Sequence, residues 1–598
     1  MPKSAFTVIL LVLLAAPYAP QADTVAPLAQ VTAPAPPPAS APAPLPKGGG
    51  GGDTEPSRCL SDATIQVGAN PANVQFGQAS RLSWSVRLPD GCGAVQVRLN
   101  GQVVTTSGNR TVTPPRSTTF TVVVTETRLG QVAQRSASAE VNVVGYPTRV
   151  VIDSSTPDPV GVLIGALGSS NCTQVSDTCV QVVELCNVDL DFTGQSWIEV
   201  GANRWLIASP ACARGPRSLG PRIVVTDHRA SAALFVITGD KVRFSGFRLE
   251  GPTRGIGMGE DTTERGILIS PPSGGADTKQ TAPAIQSIAI SNMEIFYWSG
   301  AGIEVSDNVD KLTQRGRLFN TNVGAVRVAD NFIHHNRHGP GEGYGVAVSH
   351  GAYALIERNV FDENRHAITG SVSKNPDAAD YTGYTARDNL ILSGGGVHCD
   401  LLGCWHHTQQ IDMHGDQNEW YSNSNWECGT AGETIINERN TVFYTNGLAI
   451  KIRGNPADKA VVDGNVFKHG SPSDAIAQNG GCGFGDNITK PVDIRPNNVF
   501  GADPMAQLGS CDFFGDGQED QFMATGVTWW ALSPTTHQWR YLNTMRERLP
   551  DVRVGKFDGD AVCDVALGRE NPQFPALPRT YSKSGTGPWE DFIGTKHQ

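Results

Sequence analysis

The phrase Asn-apolar-apolar recurs through the middle of the chain, as Asn331-Phe-Ile, Asn359-Val-Phe, Asn389-Leu-Ile, Asn465-Val-Phe and Asn498-Val-Phe, with looser copies at Asn292 and Asn440. The steps run from about 25 to 50 residues, so each repeat is a coil of roughly two dozen residues carrying loops of variable length. One such coil cannot bury its apolar triplets alone, whereas stacked coils share a continuous core. Glycine at 66 residues and aromatic residues at only 7% favour tight turns and short strands over helices. Helical periodicity and regular leucine spacing are both missing, which removes the helical and leucine-rich arrays. The pattern therefore predicts a parallel β-helix over 148–502, with the repeated Asn at a turn where it tolerates left-handed backbone and stacks on its neighbours.

The flanking segments set the compartment. Lys3 precedes an apolar run from Ala5 to Ala16, too short to span a bilayer, and reads as a signal peptide over 1–22, cleaved after Ala22. Residues 23–57 are Pro/Ala-rich, end in Gly48 to Gly52 and read as a linker. No later stretch has the length of a transmembrane helix. A net charge of −11, without basic runs, excludes nucleic acid as an expected partner. Twelve cysteines fit an oxidising, secreted location. Expected pairs are Cys172 with Cys179, Cys186 with Cys212, Cys399 with Cys404, and Cys511 with Cys563.

Three resemblances follow from quoted segments. Within 58–146, NPANVQFGQASRLSWSV and TPPRSTTFTVVV resemble bacterial immunoglobulin-like modules, which implies an N-terminal Ig-like β-sandwich. VRFSGFRLEGP (242–252), IERNVFDENRHAITG (356–370) and VVDGNVFKHG (461–470) resemble coils of right-handed parallel β-helix proteins of the pectate-lyase-like superfamily. CDFFGDGQEDQF (511–522) and GKFDGDAVCDVA (555–566), within 503–598, resemble FG-GAP repeats. That likeness implies Ca²⁺ as a cofactor, held by Asp512, Asp516 and Asp520 and by Asp558, Asp560 and Asp564. Phe514 and Lys556 stand where further acids are expected. These repeats are expected to cap the last coil. The fold class is thus mainly β: a right-handed parallel β-helix, an Ig-like sandwich before it and a small FG-GAP-like region after it.

Histidine is concentrated: nine of thirteen fall between His334 and His414, against about two for an even spread. Strand register adds to this. With Val346, Ile368, Ile411, Ile450 and Ile476 anchored inward, alternation turns Asp412, His414, Lys451 and Arg453 outward, with Asp412 beside Lys451 and His414 beside Arg453. His366 belongs near the same face. These five are the candidate catalytic residues, with His350, Tyr344, Arg365 and Trp405 as candidate contacts to a sugar polymer. Such a patch suits a secreted enzyme acting on polysaccharide, either a lyase or a glycoside hydrolase. Elimination would use Lys451, Arg453 or His414 as base. Hydrolysis would need a second carboxylate beside Asp412, for which Asp362, Glu363 and Asp416 are available. A carbohydrate-binding rod at the cell surface or in a matrix is the non-catalytic alternative. His334, His335 and His338, joined by His366, His414 and Asp412, are alternatively ligands of zinc or a similar ion.

Overall fold

Residues with alternating apolar side chains, cut every few positions by Gly, Asn or Asp, build three long parallel sheets. The computed structural model describes residues 58–591 apart from short stretches, the longest of which are 169–179, 209–219, 256–263, 271–284, 307–325, 372–381, 416–428, 480–487, 503–508 and 568–579. Each coil gives one strand to each sheet, as Tyr353–Glu357, Val360–Asp362 and His366–Ser371 do in turn. The first sheet has eleven strands, the second ten and the third nine. Every pairing within them is parallel and joins a strand to its counterpart one coil on, as in Val346↔Ile368↔Ile411↔Ile450↔Ile476. This is a parallel β-helix, and its inward residues form one core running from Val150 to Ile476. Among the described residues no helix is long and apolar enough to cross a membrane.

The repeated Asn is a spine. Asn331, Asn359, Asn389, Asn440 and Asn465 each donate a side-chain hydrogen bond to the next, the last to Asn498, at 2.9, 3.1, 2.9, 3.0 and 3.0 Å. The same carboxamides receive the backbone N–H of the Asn before them and donate to the carbonyl of a preceding strand, as Asn389 does to Ile356 at 2.9 Å. The expectation of a left-handed Asn is corrected in detail. Asn292 is itself left-handed, but from Asn331 to Asn465 positive φ falls on the residue before the Asn: Asp330, Arg358, Asp388, Arg439 and Gly464. Four of these form two bidentate pairs across coils, Arg358 with Asp330 at 2.8 and 3.1 Å and Arg439 with Asp388 at 2.8 and 3.0 Å. The turn itself is thereby cross-linked, while Asn faces inward as the satisfied polar element of the core.

The ends differ. Helix Pro159–Gly168 turns Val162, Leu163, Ala166 and Leu167 onto the first coil and closes the core there. The last strands, Asp493–Ile494 and Val499–Phe500, are two residues each and partly exposed. Before the helix, residues 59–144 form two sheets, of three and five strands, that share a core around Trp84, Val97 and Val122. Cys59 and Cys92 are bonded there, a pair the cysteine spacing did not suggest. Cys399–Cys404 and Cys511–Cys563 are bonded as expected, while the other two expected pairs involve positions outside the described residues.

Beyond the β-helix, Gly509–Asn543 and Val552–Asp591 each form a four-stranded antiparallel sheet. Among the described residues, their apolar packing is on the side of the β-helix rather than on its last coil. Met523 and Trp530 pack on the flank of the second sheet, against Phe332, Leu392 and Phe443, with the Phe332 and Trp530 rings 6.0 Å apart. Outward apolar residues on that sheet are the cause.

Glu294, on the second sheet, shows how buried charge is balanced. Its carboxylate meets Arg248 at 2.6 Å and His334 at 3.1 Å. Burial pushes its pKa up, but Arg248 and His334 outweigh this and hold it down at about 2, from an ordinary 4.5. A depressed carboxylate stabilises the fold above its unfolded value and loses that contribution as pH falls. We expect roughly 3 kcal/mol to be lost between about pH 4.5 and pH 2. Urea midpoints measured across that range should fall steeply for the natural protein and less so for Glu294→Gln.

Candidate functional site

The strand Ile411–His414 carries the chemistry, because Ile411 and Met413 point into the core and leave Asp412 and His414 outward. On the next coil Ile450 and Ile452 are inward, and Lys451 and Arg453 outward. Asp412 lies opposite Lys451, so His414 falls opposite Arg453, as alternation predicts. Thr369 and Ser371 precede Asp412 and His414 in the same two rows.

Outward does not mean exposed here. Asp412 is fully buried, enclosed by its neighbours. Its Oδ2 lies 2.7 Å from His414 Nε2 and 3.0 Å from Arg453 Nη2, and Arg453 Nε donates to Oδ1 at 3.0 Å. Burial acts to raise the Asp412 pKa, but His414, Arg453 and His366 overcome it and hold the group well below the ordinary carboxylate range. Asp412 is therefore a fixed anion that cannot touch a polymer. Its partners can: His414 and Arg453 keep 16% and 13% of their side-chain surface exposed.

His366, one coil earlier, is also fully buried. Its Nδ1 bonds the Gln409 carbonyl, its ring stacks on Tyr344 with centroids 5.7 Å apart, and its Nε2 faces Asp412 Oδ2 at 3.7 Å. Burial first, and Arg365 next, push its pKa well below the ordinary histidine value, so the ring is neutral. Arg365 is tied to the Gly341 carbonyl and lies over the Tyr344 ring at 5.9 Å. Tyr344 and Arg365 thus frame His366. Trp405 sits on the hairpin Val397–Asp400/Gly403–His406, stapled by Cys399–Cys404, and is 40% exposed. His350 lies outside the described residues, as does Asp416.

The other sequence candidates fall elsewhere. His334 is on the second sheet, stacked on Phe332 and Phe296, and His335 stands beside it with Nδ1 atoms 2.9 Å apart. Burial drives His335 down to about 2, so it stays uncharged. His338 is buried in the turn before Tyr344, paired in backbone with Glu342. Among the described residues, the metal-capable group is His366, Asp412 and His414, without these three. Asp362 accepts from the Gly394 N–H at 3.1 Å, and Glu363 pairs with Arg337 at 2.9 Å, so neither stands beside Asp412.

In the tail, Asp512 accepts the N–H groups of Gly515, Asp516 and Gly517, and Asp520 those of Phe513 and Phe514. Asp564 does the same for Phe557, Asp558 and Ser584. Lys583 meets Asp558 at 2.7 Å and Asp560 at 3.3 Å. In the second loop a lysine thus stands against two of the three acids expected to hold a calcium ion.

No family model matches the chain, and no curated protein matches it. Among solved structures, ORF18 of Geobacillus virus E2 aligns over 71% of this chain and 81% of its own, at 11% identity and a TM-score of 0.31. The Agl-KA catalytic domain aligns over 73% and 95%, at 12% identity and a TM-score of 0.28. Likeness at this level assigns neither family nor activity. The class the molecule belongs to, a parallel β-helix, rests on its own sheets.

Proposed function

We propose that this protein is an extracellular polysaccharide lyase acting on a uronate-containing polymer. The observation that carries the reading is the buried Asp412, which locks His414 and Arg453 side by side on the outer face of the third sheet, next to Lys451. An arginine held in two places is a fixed cation for the substrate carboxylate, and it cannot serve as base. The base comes from the neighbouring pair, His414 and Lys451. It removes the proton alpha to the carboxylate, the electron pair passes into the enolate that Arg453 stabilises, and the C4–O bond then breaks to leave an unsaturated uronate. The leaving oxygen takes up a proton.

Hydrolysis is the less supported chemistry. It needs two carboxylates flanking the scissile bond, and Asp412 is buried and neutralised by its own neighbours. The disulfides Cys59–Cys92, Cys399–Cys404 and Cys511–Cys563 fit an extracellular setting.

The test is incubation with uronate polymers of several linkages, following the ultraviolet absorbance of the new double bond. His414→Ala or Lys451→Ala, whichever removes the base, is expected to cut the rate roughly 10²- to 10⁴-fold while polymer binding persists. New reducing ends without the chromophore would replace elimination by hydrolysis. Binding without turnover on every polymer would leave a carbohydrate-binding rod, in which the exposed Trp405 is the natural stacking surface.

A further inference from the structure

We propose that His366, Asp412 and His414 form a binding site for a divalent transition ion, with zinc the ion that the donor set suits. His366 is oriented as a ligand would be. Its Nδ1 is committed to the Gln409 carbonyl and so carries the proton, which leaves the Nε2 lone pair directed at Asp412. A backbone carbonyl on one ring nitrogen is the usual means of orienting an imidazole ligand and fixing its tautomer. Nε2 is buried without a hydrogen-bond partner, and the atom it faces, Asp412 Oδ2, is an acceptor held from its other side by His414 and Arg453. A buried imidazole lone pair that faces a carboxylate and receives no donor is a costly arrangement. A cation between them removes the cost.

The spacing agrees. One ligand atom from each of the three residues lies within 4.8 Å of the other two. Nitrogen and oxygen ligands about 2.0–2.2 Å from a tetrahedral ion stand about 3.4 Å apart. The observed separations are 3.7 Å for His366–Asp412 and 2.7 Å for His414–Asp412, so one gap closes slightly and the other opens. Arg453, bonded to Asp412 Oδ1, would orient the carboxylate from behind. Two imidazoles and one carboxylate suit zinc and its neighbours rather than calcium, which takes six or more oxygens. A fourth position would remain on the exposed side of His414.

The role of the ion rests on the elimination reading, although its binding does not. The metal would hold the uronate carboxylate at its fourth position, and His414, as a ligand, would yield the role of base to Lys451.

The experiment uses the full chain, stripped with a chelator and titrated with Zn²⁺, and with Co²⁺ for its visible absorption. We expect one ion per chain in the natural protein and in His407→Ala, a histidine outside the trio. Affinity should fall roughly 100-fold or more in His366→Ala and His366→Gln, with circular dichroism unchanged. Absence of stoichiometric binding by the natural protein, or natural affinity in both His366 variants, overturns the site. If the stripped protein eliminates at full rate, the metal's role falls and elimination stands. If the ion binds as described but no uronate polymer is cleaved, the site stands and the elimination reading fails.

Discussion

Asp412→Asn is expected to reduce turnover by roughly 10²- to 10⁴-fold with little change in KM, as large a loss as removing the base itself. The substitution keeps shape and removes charge. Asp412 never meets the polymer, so ground-state binding has no reason to alter. What alters is the fixed relation of His414 to Arg453, which the carboxylate maintains through contacts of 2.7 and 3.0 Å. Leaving two partners facing a neutral amide inside the protein also costs stability, on the order of 3–5 kcal/mol. Rates are therefore to be compared well below the unfolding transition, with kcat and KM determined separately. A variant that loses KM and keeps kcat would show that Asp412 shapes binding only.

The second large effect is structural. Asn389→Ala removes a residue whose carboxamide accepts from the Asn359 N–H and side chain at 3.0 and 3.1 Å and donates to Asn440 and Ile356 at 2.9 Å. At about 1 kcal/mol for each lost bond, and 1–3 kcal/mol for a buried group left unmatched, the loss comes to roughly 4 kcal/mol or more. Asn498→Ala, at the end of the spine and partly exposed, is expected to lose much less. Urea denaturation of the two variants, read on the β-helix signal, checks the contrast. Equal midpoints would mean that the spine is not cooperative.

Much of this was legible in the sequence because it depends on period. Asn-apolar-apolar repeats once per coil, so the coils could be counted from the residues. Alternation in QQIDMHG and LAIKIRG allows one inward set, and that alone sets Asp412 against Lys451. The rest depends on three-dimensional enclosure, which has no period. Nothing in the order of residues shows that an outward Asp412 is covered, or that it pairs diagonally with Arg453. The place of His366 depends on a carbonyl 43 residues away. Phe332 and Leu392 read like core residues, and only the structure shows that they face outward to receive Trp530 and Met523. The crowding of histidines mixes two sheets: His334 and His335 balance or line the second, while His366 and His414 lie on the third.

The short final strands have a consequence for how such molecules behave in company. A stack of parallel strands ends in a row of backbone groups ready to pair with another chain, and that row is the usual seed of aggregation. Here Asp493–Ile494 and Val499–Phe500 offer only two residues each, and Arg495 clasps Asp493 and Asp463 across the edge at 3.2 and 3.0 Å. Ile494 and Val499 remain 41% and 49% exposed, a small sticky surface ringed by charge. The terminal coil thus discourages one rod from growing onto the next.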